Sequence, residues 1–258
     1  MARFKLTLEY EGTRFNGWQK QKEGKTIQGT LIDIAREIFK SDKVDVQGSG
    51  RTDRGVHAIE QIAHLDADTN LKEEVIRLKF NDLLPHDINI LKVERTSGKF
   101  HARHDAVSRT YLYQIAKRRT AFGKEYVWWV KDELNVEAMK KAAGYFVGFY
   151  DFISFTDKLL KTEESRVHLT EVRIEETGNL ILIRITASHF LWKMVRRVVG
   201  TLVEVGRGKL KAERIKDFLN SHDEAPAKFT APPSGLYLEK VCYKGDELDP
   251  RIKPFLNI

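Results

Sequence analysis

The feature that most narrows the fold is a six-element order of hydrophobic patterns that the chain runs through twice. Alternation over 3–10 puts Phe4, Leu6 and Leu8 on one face of a strand. Ile27, Leu31, Ile34, Ala35, Ile38 and Phe39 then recur at helical spacing. A short strand carrying Val44 and Val46 enters the turn "GSGRTDRGVHA" (48–58), and a second strand leaves it over 58–65. A helix over 71–84 is stopped by Pro85, and 87–95 is again a strand. The order returns as a strand over 107–116 and a helix over 135–148, with Val136, Met139, Ala143, Phe146 and Val147 inward. Strands over 168–175 and 180–187 are joined at a Gly178-Asn179 turn signal. An apolar helix over 190–205, an extra helix near 211–220 and a last strand over 235–243 complete the series.

The halves share this pattern but little sequence. It predicts an α+β two-layer architecture of two ferredoxin-like β-α-β-β-α-β units, 1–105 and 106–258, with antiparallel sheets joined around a central basic cleft. In such units helices cover one sheet face and leave the other available. Two long irregular stretches, 117–134 and 150–167, read as binding loops; the first is basic at its start ("KRRT") and aromatic later ("YVWW").

Composition limits the partners. Lys and Arg number 44 against 37 Asp and Glu, a formal net charge of +7 that favours a polyanion. One cysteine, Cys242, forms no internal disulfide and points to a reducing, cytoplasmic setting. The start "MARFKLTLEYEGTRF" lacks the apolar core of a secretory signal, and no apolar run reaches the roughly 18 residues of a membrane span.

Three places carry candidate chemistry. In the turn, Asp53 is a lone carboxylate flanked by Arg51 and Arg54 and surrounded by Gly48, Gly50 and Gly55. Nearby guanidinium groups favour the ionised carboxylate, which suits a nucleophile or general base; the competing reading is an Asx-turn without chemistry. In strand 107–116, alternation puts Arg109, Tyr111 and Tyr113 on one face, either a half-buried sheet face or a platform on which a nucleobase stacks. Interleaving favours the platform, because 95–124 holds eight Lys and Arg and one carboxylate, Asp105. The helix "FLWKMVRRVVGTLVEV" (190–205) is apolar nearly all round yet contains Lys193, Arg196 and Arg197. An inward arginine there needs an acid from elsewhere, whereas one that snorkels does not. Gly200 in mid-helix points to close packing.

Other chemistries fit poorly. His101 and His104 have no cysteine or carboxylate cluster beside them, so no metal site is expected. The glycine-rich turn lacks the Gly-Lys-Ser/Thr ending of a phosphate-binding loop. A glycosidase would need a second placed carboxylate, which the turn does not offer.

The turn "GRTDRGVHA" resembles the active-site motif of the TruA family of pseudouridine synthases, and the likeness covers nearly the whole chain. It continues through "LEYEGTRFNGWQ", "LLPHDI", "KFHARHDAVSRTYLY", "YDFISF", "FLWKMVRRVVGTLVEVGRGK" and "APPSGLYLEKV". The resemblance implies conversion of uridine to pseudouridine at positions thirty-eight to forty of the tRNA anticodon arm, by a cytoplasmic homodimer without cofactor or metal. It implies that Asp53 is the essential carboxylate, that Arg196 pairs with it, and that Tyr111 and Leu236 bind the target base. Arg51 would help displace the target nucleotide, and Phe100, His101, Arg103, Arg119 and Arg166 would contact RNA. The alternative on the same scaffold is a catalytically idle tRNA-binding or tRNA-folding protein. The chain departs from the family pattern at Arg54, at Trp192 and Lys193, and in "TEESRVHL", which lacks a threonine after its arginine. These positions bear on which tRNA and which nucleotide are chosen.

Overall fold

The computed structural model describes residues 1–157 and 162–257. In chain order its elements are β1 (Ala2–Tyr10), α1 (Ile27–Phe39), β2 (Asp45–Gly48), β3 (His57–Ala67), α2 (Glu73–Leu83) and β4 (Ile88–Thr96). Next come β5 (Ser108–Ala116), β6 (Trp128–Trp129), α3 (Val136–Ala143), β7 (Gly148–Asp151), α4 (Thr162–Ser165), β8 (Arg166–Thr177) and β9 (Leu180–Ala187). The chain ends with α5 (Met194–Gly206), α6 (Arg214–Asn220), α7 (Ala225–Lys228) and β10 (Leu236–Cys242). No helix among the described residues is long and apolar enough to cross a membrane.

Two compact units divide the chain: Met1–Val107 with Tyr237–Leu248, and Ser108–Leu236 with Asp249–Ile258. In the first, β1 lies between β3 and β4 and is antiparallel to both, while β2 pairs with β3 in antiparallel register. Each β-α-β step therefore leaves a gap that another strand fills, the split arrangement expected of this element order. The alternating Phe4, Leu6, Leu8 and Tyr10 of β1 are all buried. Helix α1 starts at Thr26, whose hydroxyl accepts the Gly29 N–H at 3.2 Å, and buries Ile27, Leu31, Ile34 and Ala35.

The expectation of two consecutive units needs one correction. The last strand was assigned to the second half, but most of β10 clusters with the first unit, where Tyr237 and Leu238 pair in parallel with His57 and Ala58 of β3. Periodicity identifies a strand but not the edge it joins, so its sheet partner lies beyond what the pattern specifies.

The second unit's sheet runs β5-β9-β8-β7, with β6 pairing in parallel with β5. The tyrosine face of β5 reads from the sequence as either a half-buried sheet face or a stacking platform; its residues from Arg109 to Ala116 are buried on both sides. On the odd face Tyr113 meets Trp128 edge-on and donates to the Pro232 carbonyl at 2.7 Å. The even face is covered by the C-terminal segment. Arg184, opposite Leu112 in the ladder, donates to the carbonyls of Asp249 and Arg251 at 2.7 and 2.9 Å, and the Gln114 side chain accepts the Phe255 N–H at 2.6 Å. The irregular stretches also contain structure, including β6 and a 3₁₀ turn at Lys124–Tyr126 in the first. In the second, Phe152 and Phe155 of "YDFISF" join Phe146 and Phe218 in an aromatic core.

Helix α5 starts at Met194, four residues later than the hydrophobic run, because Lys193 turns into the left-handed region at φ 62°. Its mid-helix glycine faces the chain at 229–231: a Cβ built on Gly200 would lie 1.5 Å from the Phe229 carbonyl oxygen. Alanine at this position gains about 1 kcal/mol of helix propensity but must displace backbone, and overpacking typically costs about 1–3 kcal/mol or more. Because the clash is with backbone, the cost falls at the upper end of that range, and Gly200→Ala is expected to lower stability by a net of about 2 kcal/mol, read as a lower denaturant midpoint. A midpoint at or above the parent's would contradict the contact.

Candidate active site

The loop carrying Asp53 spans the gap between β2 and β3, and almost every group around the aspartate is anchored. Gly50 is held at both backbone atoms by one side chain: its N–H donates to Gln61 Oε1 at 3.0 Å, and its carbonyl accepts from Gln61 Nε2 at 2.8 Å. The Thr52 carbonyl accepts the Trp18 N–H at 3.0 Å, and its hydroxyl bonds the Tyr10 hydroxyl at 2.8 Å. The Asp53 carbonyl accepts the Val56 N–H at 3.2 Å, closing a tight turn in which Gly55 takes φ 78°. His57 then opens β3, stacked on Tyr237 with its Nδ1 accepting the Gly12 N–H at 3.1 Å.

Two properties of this bracing matter chemically. It is buried, since Tyr10, Thr52, His57 and Gln61 are all closed to solvent, and burial pushes the Tyr10 phenol well above its ordinary range. Tyr10 thus stays protonated as a hydrogen-bonding strut. The bracing also fits only at close range. Gly17 has φ 89°, and a Cβ there would sit 2.6 Å from the Thr52 carbonyl oxygen. Asp53 itself is half-exposed at the top of this support, with Arg51 and Arg54 exposed on either side. An accessible carboxylate on an immobilised loop can attack or deprotonate a bound substrate without first paying to order itself.

Elsewhere in the first unit, Phe100, His101 and Arg103 lie in one turn. The Arg3 guanidinium donates to the Phe100 carbonyl at 2.7 Å, Asp105 accepts the His101 N–H at 2.8 Å, and buried His64 accepts the Ala102 N–H at 3.2 Å. Phe100 packs at 5.3 Å from the Tyr243 ring, and Arg103 is exposed. Burial, with His104 and Arg3 nearby, lowers the pKa of His101. Among the described residues one group of ligand-type side chains converges, Asp45, His64 and Asp66. Arg3 grips the Asp66 carboxylate through two nitrogens, Nε at 2.7 Å, so this is an ion-pair site with its cation already supplied.

In the second unit Tyr111 is 8 % exposed, edge-on to Phe190 with ring centroids 5.0 Å apart. Leu236 is buried at the start of β10. Arg119 and Arg166 are exposed. The two arginines of α5 part company. Arg197 is only 3 % exposed and finds its acid within the unit, in an ion pair with Asp157 and a bond to the Ser154 carbonyl at 3.2 Å. Half-buried Arg196 donates Nε to the Ala231 carbonyl at 2.6 Å, while its own carbonyl accepts the Ala231 N–H at 3.0 Å. The acid that the apolar helix demanded is thus met at Arg197. Sequence reading passed over Asp157, which lies 40 residues upstream in an irregular stretch. It also missed Tyr10, Thr52 and Gln61; only the position of Tyr10 at the end of a buried alternation hinted at its role.

A family model described as tRNA pseudouridine synthase matches residues 7–105 and 142–244, on either side of the stretch that carries Tyr111 and Arg119. "tRNA pseudouridine synthase A 2" of Clostridium perfringens is 42% identical over 245 residues, covering 94% of this chain and 100% of the relative. "tRNA pseudouridine synthase A" of Ehrlichia chaffeensis is 41% identical over 244 residues, covering 93% and 100%. The protein of that name from Thermodesulfovibrio yellowstonii is 36% identical over 255 residues, covering 94% and 100%. Full-length similarity of this extent places the chain in a known family: it belongs to the tRNA pseudouridine synthases.

Proposed function

We propose that the protein isomerises uridine to pseudouridine in tRNA, at positions thirty-eight to forty of the anticodon arm, with Asp53 as the essential carboxylate. The supporting observation is family membership, joined to an accessible acid on a loop fixed by Tyr10, Trp18 and Gln61. The reaction breaks the N1–C1′ bond, turns the uracil and forms a C5–C1′ bond. N1 gains a proton and C5 loses one, so no atom is added. Asp53 acts as nucleophile or as base, and both roles require its ionised form.

A base within a stem must leave the stack before it reacts, at a cost of a few kcal/mol, so the enzyme needs groups that fill the gap and receive the base. Arg51, exposed beside Asp53, is the candidate for displacement, and Tyr111 with Leu236 for receiving the uracil. Arg196 is the candidate charge partner of Asp53. Its anchorage to Ala231 through Nε fixes the root of the guanidinium. Phe100, His101, Arg103, Arg119 and Arg166 are candidate RNA contacts. The working unit is proposed to be a cytoplasmic homodimer.

Tritium release from tRNA labelled at C5 of uridine tests the reading. Asp53→Asn should retain tRNA binding and lose turnover by roughly a hundredfold to ten-thousandfold. A parent protein that binds tRNA and releases no tritium would identify the idle RNA-binding alternative instead. Tyr111→Phe should keep most of the activity and Tyr111→Ala should lose about five- to a hundredfold in kcat/KM, the scale of one base-stacking contact; equal losses would move the role to the hydroxyl. The two neighbouring arginines should separate cleanly. Arg196→Ala is expected to abolish turnover in a folded protein, whereas Arg197→Ala, which strips a buried pair of its cation, should cost about 3 kcal/mol of stability. Circular dichroism melts of both variants check this, and an unfolded Arg196→Ala protein would refute it.

A further inference from the structure

The turn that follows β5 sets a run of cations beside exposed aromatic rings. Residues 117–125 hold Lys117, Arg118, Arg119 and Lys124 against one carboxylate, Glu125. At its tip Phe122 is 86% exposed. The Thr120 hydroxyl donates to the Phe122 carbonyl at 2.7 Å and accepts its N–H at 3.2 Å, and Gly123 follows at φ 67°, so the phenyl ring stands on a braced turn. The base of the turn is closed by Ala116 pairing with Trp129. Alternation in β6 sends Trp128 inward against Tyr113 and leaves Trp129 40% exposed, with the Arg119 guanidinium 6.0 Å from its ring centroid. Lys117 is paired with Glu176 at 3.0 Å; among the described residues Arg118 and Arg119 have no carboxylate within ion-pair distance.

One exposed phenylalanine is ordinary on a protein surface. Two exposed aromatic rings on a short cationic turn form a combination with a defined counterpart. Flat apolar faces take a base, and guanidinium and ammonium groups take the phosphates beside it. A double helix hides its base faces, so the counterpart is an unpaired nucleotide. Building on the tRNA reading above, we propose that residues 117–129 form a second RNA-contact element, in which Phe122 and Trp129 stack on an unpaired tRNA base other than the reacting uridine. Arg118, Arg119 and Lys124 hold its backbone. The element lies in the segment between the two stretches matched by the family model.

The test is equilibrium binding of a 5′-labelled, unmodified tRNA transcript over a salt series. Phe122→Ala and Trp129→Ala should each weaken binding at least fivefold, the scale of one stacked base, with the slope of log Kd against log salt unchanged because no charge is lost. Arg119→Ala should lower that slope by about one. The exposure of Phe122 predicts an unaltered melting temperature for its variant. Parental tRNA affinity in both aromatic variants overturns the proposal, and it does so alone if the parent protein still releases tritium. A shift in sedimentation with tRNA affinity intact also overturns it, by assigning the rings to a protein contact. A parent that neither binds nor modifies tRNA overturns this inference together with the function it rests on.

Discussion

The candidate active site depends on how Thr52 is held. Its hydroxyl is fixed by Tyr10 and its carbonyl by the Trp18 N–H, so the residue before Asp53 is clamped by the end of β1 and by the segment that follows it. Both clamps come from a segment more than 30 residues upstream, and ordering that loop costs conformational entropy. The cost is met where it can be recovered. Tyr10 ends a fully buried alternation, and Trp18 is itself buried. The Asp53 loop is therefore held in place by being hung from the hydrophobic core. Its sequence, rich in glycine, would otherwise be mobile.

The pair Arg196 and Arg197 shows how one helix separates two tasks between adjacent residues. Successive side chains on a helix point about 100° apart, so one faces the unit's interior and the other its margin. A guanidinium in the interior must be neutralised locally, and Asp157 does this with help from the Ser154 carbonyl. Desolvation still lowers the pKa of Arg197 below its ordinary value. Arg196 pays less desolvation and keeps a backbone anchor in the 229–231 segment that also packs on Gly200. Helix position, cation and anchor are thus set by the same close approach.

Which parts were legible follows from what each signal measures. Periodicity reports burial on a regular element, so β1, α1 and β9 could be read directly from Phe4-Leu6-Leu8, from Ile27-Leu31-Ile34 and from the fully buried run Leu180–Ala187. It is silent on partners. Gln114 of β5 and Arg184 of β9 carry no signal in the pattern, yet these are the side chains that tie down the C-terminal segment. The reach of Asp157 to Arg197 has no local pattern at all. At the site, Asp53 stood out because its chemistry is written in one short string, whereas Tyr10 and Gln61 act through distances that only folding creates. Residue pattern marked Tyr111 beside Tyr113 and Arg196 beside Arg197 without choosing between neighbours; the resemblance made the choice and added Leu236.

Charge placement adds a last constraint. Much of the basic content is neutralised in place, as in Arg3 with Asp66, Arg77 with Glu74, Arg207 with Asp132 and Glu204, and Arg214 with Asp217 and Asp223. Among the described residues, Arg51 and Arg54 beside Asp53, and Arg118 and Arg119 on the turn after β5, have no carboxylate at ion-pair distance. Uncompensated arginines at the surface repel one another and gain nothing for the fold. Their value lies in an external anion, and RNA phosphates release counterions when such groups bind them. The net charge of +7 is thus less informative than its distribution. Four of the arginines left over after folding sit beside Asp53 and beside the exposed Phe122 and Trp129, where an RNA substrate would need them.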